Sequence, residues 1–333
     1  MILDKKPDLT QDKCEFNLQV KGLSNPIPCI FLKALNDDVD SIVVFNHGLN
    51  GSKDSLNFLK HHLRNAHLIG FDAKACGKNK NEGTSHYNEF ALDLKRVLDS
   101  LKQDLNYMNI KKYYLIGESF GAAVCLLFYK KYQDDIDGVF IWNMPRKIVD
   151  VTGNKKRQQL KLGFSILWSL ITNLPTYSNA PAPVDKLSNN RTLFLATKLT
   201  KQHRKDDNRN IIAAWWGNYK AWRILLSKKF LNNVKKNIIY ISSKTDPLRD
   251  NKACIELEKA LNKNSNENIL HYDLNSGTHI LFFDIYLGRF ILDGIDTFIE
   301  CEHQNNTKSL MQELKRLENL YQANKQSDFK EEN

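Results

Sequence analysis

Apolar residues along the chain fall into two alternating patterns. Short apolar-rich segments, alternating as in CEFNLQV (14–20) or continuous as in SIVVFN (41–46), occur also at PCIFLKA (28–34), HLIGFD (67–72), KYYLIGES (112–119), GVFIWN (138–143), NIIYISS (237–243) and NILHYDL (268–274). Such segments suit strands, and those apolar on successive residues suit strands buried on both faces. Between them, apolar residues recur three or four apart, as in Phe90, Leu92, Leu94, Val97, Leu98 and Leu101. That spacing predicts an amphipathic helix over about 88–105, with others over 54–64, 251–261 and 280–299. Strand alternating with helix predicts an α/β fold: a mostly parallel central sheet of about eight strands flanked by helices.

The alternation stops at Pro145 and resumes at 237. The intervening 146–236 is basic, aromatic and helical in pattern, with a proline-rich stretch LPTYSNAPAP, and reads as a separate insertion rather than more sheet. The expected organisation is a core from 1–145 and 237–300, the insertion at 146–236, and a polar helical tail at 301–333. In the tail Leu310, Leu314, Leu317 and Tyr321 share one helical face, which packs either on the body or on a partner.

Charge sharpens the division. The chain carries a net +10, but 146–236 holds 19 Lys or Arg against four Asp and no Glu, a net +15 that leaves the remainder near −5. No stretch reaches the roughly 18 to 20 apolar residues of a spanning helix, and MILDKKPDLTQDKCEF lacks the apolar core of a secretory signal. A cytoplasmic protein is expected, with peripheral contact at the inner membrane face as a further expectation. The six cysteines show no CxxC pair or zinc spacing and read as reduced structural thiols.

The strongest chemical signal is Gly117-Glu118-Ser119-Phe120-Gly121, a G-x-S-x-G between a strand and a small-residue helix start. The turn is too sharp for side chains at its flanking positions, and it lifts the serine hydroxyl above the sheet. A serine needs a base, and the base needs an acid to fix its tautomer. Asp246, after NIIYISS, and His279, after NILHYDL, both lie beyond the carboxyl ends of strands, where open α/β sheets bind ligands. His61, His62, His86 and His271 are weaker as bases. Asp250 is the other candidate acid, though it also suits a helix N-terminus. Backbone N–H groups of Phe120 and of Leu49, after the His47-Gly48 turn, are the expected oxyanion donors, with His47 shaping that loop.

The ordered motifs HGLNGS, FDAKACGKNKNEG, GESFG, SSKTDP and SGTH resemble the α/β-hydrolase superfamily, most closely its monoacylglycerol lipase and lysophospholipase group, over about 15–300 apart from the insertion. The resemblance implies a helical cap at 146–236 and maps the family's catalytic serine, acid and histidine onto Ser119, Asp246 and His279, with oxyanion donors at Leu49 and Phe120. One motif departs from the family: its Asp-x-x-Gly-x-Gly loop here has Ala75 in place of the first glycine, after Asp72 and before Gly77.

The insertion holds Trp168, Trp215, Trp216 and Trp222, four of the five tryptophans. They are candidates to line an acyl-chain pocket, since ligand sites are concave and mostly apolar. Basic residues beside aromatics also suit an anionic lipid surface. Nucleic acid is not expected, because no recognition motif accompanies the charge. The expected activity is hydrolysis of a small-molecule or lipid ester, such as a monoacylglycerol or lysophospholipid, with no metal or organic cofactor. A thioesterase or acyltransferase, an aminopeptidase, and a catalytically silent binding protein are the alternatives.

Overall fold

The computed structural model describes residue 7, residues 11–146 and residues 208–331, apart from positions 24, 50, 60, 75, 80–85, 106, 107, 247, 265, 278, 280, 284, 305 and 306. The strands are β1 (Lys13–Leu18), β2 (Ile27–Leu32), β3 (Ser41–Asn46), β4 (His67–Phe71), β5 (Lys112–Glu118), β6 (Gly138–Trp142), β7 (Asn237–Ser243) and β8 (Ile269–Leu274). They form one sheet in the order β1-β2-β4-β3-β5-β6-β7-β8. β1 and β2 are antiparallel additions at one edge. From β4 to β8 every neighbouring pair is parallel. The parallel strands therefore all end on the same edge.

The central strands are buried on both faces, which accounts for their uninterrupted apolar runs. In β3, Ile42 and Val44 face one layer and Val43 and Phe45 the other. The first layer contains α1 (Tyr87–Asp104), α2 (Phe120–Tyr132), α3 (Asn208–Leu225), the short α4 (Lys228–Leu231) and α5 (Asn251–Asn262). The second contains α6 (Ile285–Gln304) and α7 (Thr307–Glu331). Each fully buried aliphatic side chain in these layers contributes about 1.5–3 kcal/mol.

Two local expectations are resolved by packing. The helix expected over 54–64 is only a 3-10 turn, Lys53–Phe58. Beyond it the chain is drawn into long-range hydrogen bonds: Leu35 N–H donates to Leu63 O, and Arg64 N–H to the Asp296 carboxylate. The tail packs on the body, with Leu310, Leu314, Leu317 and Tyr321 buried in the second layer. Within 146–236 the residues from 208 onward are described, and α3 packs beside α2. The cap expected over the rest of that span lies outside the described residues. Among the described residues, no helix is long and apolar enough to cross a membrane.

Candidate active site

The site begins with a steric constraint between β5 and α2. Ser119 has φ 55° and ψ −116°, a conformation that non-glycine residues rarely adopt. The glycines beside it allow the close approach this requires. A Cβ at Gly117 would lie 2.6 Å from Gly121 O, and one at Gly121 would lie 1.9 Å from Asn46 O. The turn is further tied down by Ser119 N–H donating to Trp142 O at 3.1 Å.

Three loops at the carboxyl edge converge on this serine. Ser119 Oγ donates to His279 Nε2 at 2.8 Å, and His279 Nδ1 donates to Asp246 Oδ2 at 2.9 Å. The second carboxylate oxygen, Asp246 Oδ1, accepts from Leu248 N–H at 2.8 Å, which fixes the carboxylate plane. Asp246 and His279 are both buried. Burial pushes the imidazole towards its neutral form. The Asp246 charge and hydrogen bond, with the charge of Glu118, outweigh burial and raise its pKa above the ordinary 6.5. This arrangement lets a neutral imidazole take a proton from Ser119 and lets the carboxylate stabilise the resulting imidazolium.

Leu49 follows Gly48 in the loop after β3. Gly48 approaches the serine closely enough that a Cβ there would lie 3.1 Å from Ser119 Cβ. His47 holds this loop from within: its Nδ1 donates to Gly48 O at 2.8 Å, and its Nε2 accepts from Ala73 N–H at 3.1 Å. Both ring nitrogens are thus committed to backbone, and burial lowers the imidazole pKa. Asp72 ties together the neighbouring loops, accepting from Lys53 N–H and Lys78 N–H, both at 2.8 Å. Its carboxylate occupies the space where a Gly77 Cβ would fall, 2.4 Å away, and Gly77 has φ 53°. The glycine retained in the divergent loop is the one the structure requires. Phe120, the residue after Ser119, opens α2.

Sequence reasoning missed two residues at the site. Asn143, just after β6, donates from Nδ2 to His279 O at 2.9 Å and anchors the histidine's backbone. Glu118 is buried near His279 and Asp246, and its Oε2 accepts from Trp142 Nε1 at 3.2 Å. Burial, reinforced by the Asp246 charge, pushes this carboxyl up to about 7. The only sequence signal for Glu118 was a charged residue at the end of an otherwise apolar strand.

The other candidates lie elsewhere. Asp250 caps α5, accepting from Ala253 N–H at 3.0 Å. His86 caps α1, His62 Nδ1 meets Lys33 O, His271 Nε2 meets Ser242 Oγ, and His61 is exposed. Of the four insertion tryptophans, Trp168 lies outside the described residues. Trp215 and Trp216 are on the surface of α3, 45% and 42% exposed, with ring centroids 5.1 Å apart. Trp222 is only 1% exposed, packs edge-on to Tyr240 and donates from Nε1 to Met144 O at 3.2 Å. Four residues along from the protein-facing Asn218, it falls on the inward face of α3 and belongs to the core.

Comparison with known proteins agrees with this topology. A family model for the alpha/beta hydrolase fold matches residues 41–156. No curated protein is detectably similar in sequence. Among solved structures, a soluble variant of monoglyceride lipase from Saccharomyces cerevisiae, in complex with a substrate analog, is similar with a TM-score of 0.67 and 13% identity, over 91% of this chain and 97% of that one. A thermostable carboxyl esterase from Bacillus coagulans, in complex with glycerol, gives 0.60 and 13% over 87% and 99%. The thioesterase domain from the curacin biosynthetic pathway gives 0.56 and 13% over 87% and 99%. Sheet order, the match over residues 41–156 and the structural likeness together show that the chain has the α/β-hydrolase fold.

Proposed function

We propose that this chain is a serine hydrolase of carboxylic esters, acting through an acyl-enzyme on Ser119. The observation that carries the reading is the hydrogen-bonded chain from Ser119 Oγ through His279 to Asp246, with links of 2.8 and 2.9 Å. Ser119 Oγ attacks the ester carbonyl while His279 Nε2 takes its proton. The oxyanion forms against the N–H groups of Leu49 and Phe120. His279 then protonates the leaving alcohol, and water, deprotonated by the same imidazole, releases the acid and restores Ser119.

The substrate we favour is lipid-like, a monoacylglycerol or lysophospholipid. A small cleft adjoins the oxyanion loop and is lined mainly by Leu49, Ala73, Cys76, Phe90, Phe120 and Val124. Its apolar lining suits an acyl chain better than the tryptophans do. The monoglyceride lipase likeness is in keeping with this choice. An aminopeptidase would need carboxylates to hold a substrate ammonium, and 146–236 contains four acidic residues against 19 basic ones. A thioesterase or acyltransferase would use the same three residues, and competition between water and an acceptor alcohol separates those outcomes.

The test is turnover of p-nitrophenyl esters of increasing acyl length by wild type and by folded Ser119→Ala. Activity that rises with chain length and disappears in the variant is expected. A preference for the shortest esters would remove the lipid substrate, and equal inactivity of both proteins would remove the esterase.

A second reading, docking on an anionic membrane surface, is favoured by the exposed Trp215, Trp216 and Tyr219 on a helix that also carries Lys220 and Arg223. Each basic residue near such a surface contributes about 1 kcal/mol. Co-sedimentation with phosphatidylglycerol vesicles but not phosphatidylcholine vesicles, reduced in Trp215→Ala/Trp216→Ala, is the expected result. Equal recovery with both lipids would exclude it.

A further inference from the structure

The loop carrying His279 is gripped from two sides. On one side it meets the loop of Asp246: Ser243 Oγ and Thr245 Oγ1 donate to Gly277 O at 3.0 and 2.8 Å, and Gly277 N–H donates back to Thr245 Oγ1 at 2.8 Å. On the other side it meets the last helix. Asn275 N–H donates to Glu318 Oε1 at 2.7 Å, Tyr272 Oη donates to Glu318 Oε2 at 2.6 Å, and Gln322 Nε2 donates to Ser276 Oγ at 2.7 Å. Glu318 and Gln322 stand one helical turn apart on the same face of α7. Glu318 is 4% exposed. A carboxylate is costly to bury unless its oxygens are occupied, and here each oxygen meets one donor of the β8 end or the loop beyond it.

We propose that α7 braces the loop presenting His279, and that Glu318 is a positioning residue for the general base. The inference rests on the ester-hydrolase reading and gives the C-terminal helix a part in it. Leu310, Leu314, Leu317 and Tyr321 seat the helix on the body. Glu318 and Gln322 then fix the first residues after β8, four and three positions before His279. The Gly277 contacts set the loop against Asp246, and the α7 contacts prevent it from moving away from Ser119.

The test uses the full chain. Glu318→Ala is expected to lower kcat on a p-nitrophenyl ester by about ten- to a hundredfold, the effect of a base misplaced by a fraction of an ångström to an ångström. KM should stay within about twofold, because ground-state binding is not involved. Amide hydrogen exchange should speed up over 275–281 while the α7 backbone stays protected. Glu318→Gln presents an oxygen to Asn275 N–H and an amide to Tyr272 Oη, so it should restore most of the loss. Unchanged kcat and unchanged exchange in Glu318→Ala would overturn the brace, as would exchange that rises equally throughout α6 and α7. If Glu318→Ala does not fold, Gln322→Ala takes its place, with a smaller loss confined to kcat expected and no change overturning the proposal. Should the wild type hydrolyse no ester, the functional reading fails on its own, and the exchange comparison still decides whether α7 holds the loop.

Discussion

Gly121→Ala adds one methyl group where the structure has no room for it. The new Cβ would lie 1.9 Å from Asn46 O, 2.6 Å from His47 O and 2.7 Å from Asn46 C. Cβ atoms essentially never approach neighbours within 3.0 Å, so the start of α2 must shift from the end of β3 by at least about 1.1 Å. The obstacle is the backbone of a central strand rather than a flexible side chain. The cost therefore falls at the upper end of overpacking, about 3 kcal/mol. For a chain of 333 residues that lowers the unfolding temperature by about 4 °C. The same shift displaces Ser119 from His279 and from the Leu49 loop, and an error of about 1 Å at a reacting group costs about a hundredfold in rate. Differential scanning fluorimetry and p-nitrophenyl ester turnover on the same preparation measure both effects. A Gly121→Ala protein that unfolds at the wild-type temperature and turns over at the wild-type rate would refute the close approach of α2 to β3.

Removing the buried carboxyl of Glu118 with Glu118→Gln should change stability at one pH and not at another. Folding raises this carboxyl from 4.5 to about 7, so the folded state binds a proton that the unfolded state has released between those values. The wild type therefore loses stability as pH rises through that window, and Glu118→Gln should be more stable than wild type at pH 8 by up to about 3 kcal/mol, with no advantage at pH 4. Urea unfolding at both pH values checks it. In the proposed mechanism His279 is the base in its neutral form, so its raised pKa should put the acid limb of kcat/KM above pH 6.5, and Glu118→Gln should move that limb to lower pH by removing a charge that favours the imidazolium. Trp222→Ala should cost about 3–5 kcal/mol as a core truncation, whereas Trp215→Ala and Trp216→Ala should each change stability by about 0.5 kcal/mol or less; denaturant midpoints distinguish them.

The sheet was legible because its central strands are buried on both faces, and SIVVFN or NIIYISS can satisfy that environment only as apolar runs. The candidate triad was legible for a related reason. The parallel strands β5, β7 and β8 all end on one edge, so residues just beyond them must meet. The helix expected at 54–64 failed because its apolar spacing says nothing of distant partners. Lys53, buried, pairs with Glu15 and Asp54, and the 61–64 segment bonds to 33–35 and Asp296. The tryptophans of the insertion were grouped by composition, which does not separate the buried Trp222 from the exposed Trp215 and Trp216. Asn143, Glu118 and Glu318 owe their importance to contacts with residues between 24 and 136 positions away, which no local pattern records.

The central claim is that Ser119 is the nucleophile, and covalent labelling tests it most directly. Wild type and Ser119→Ala are treated with a fluorophosphonate probe, and the modified residue is located by peptide mass spectrometry. The account predicts one adduct, on Ser119, absent from Ser119→Ala and strongly slowed in His279→Ala. A folded wild type that remains unlabelled, or an adduct on another residue that persists in Ser119→Ala, would contradict it.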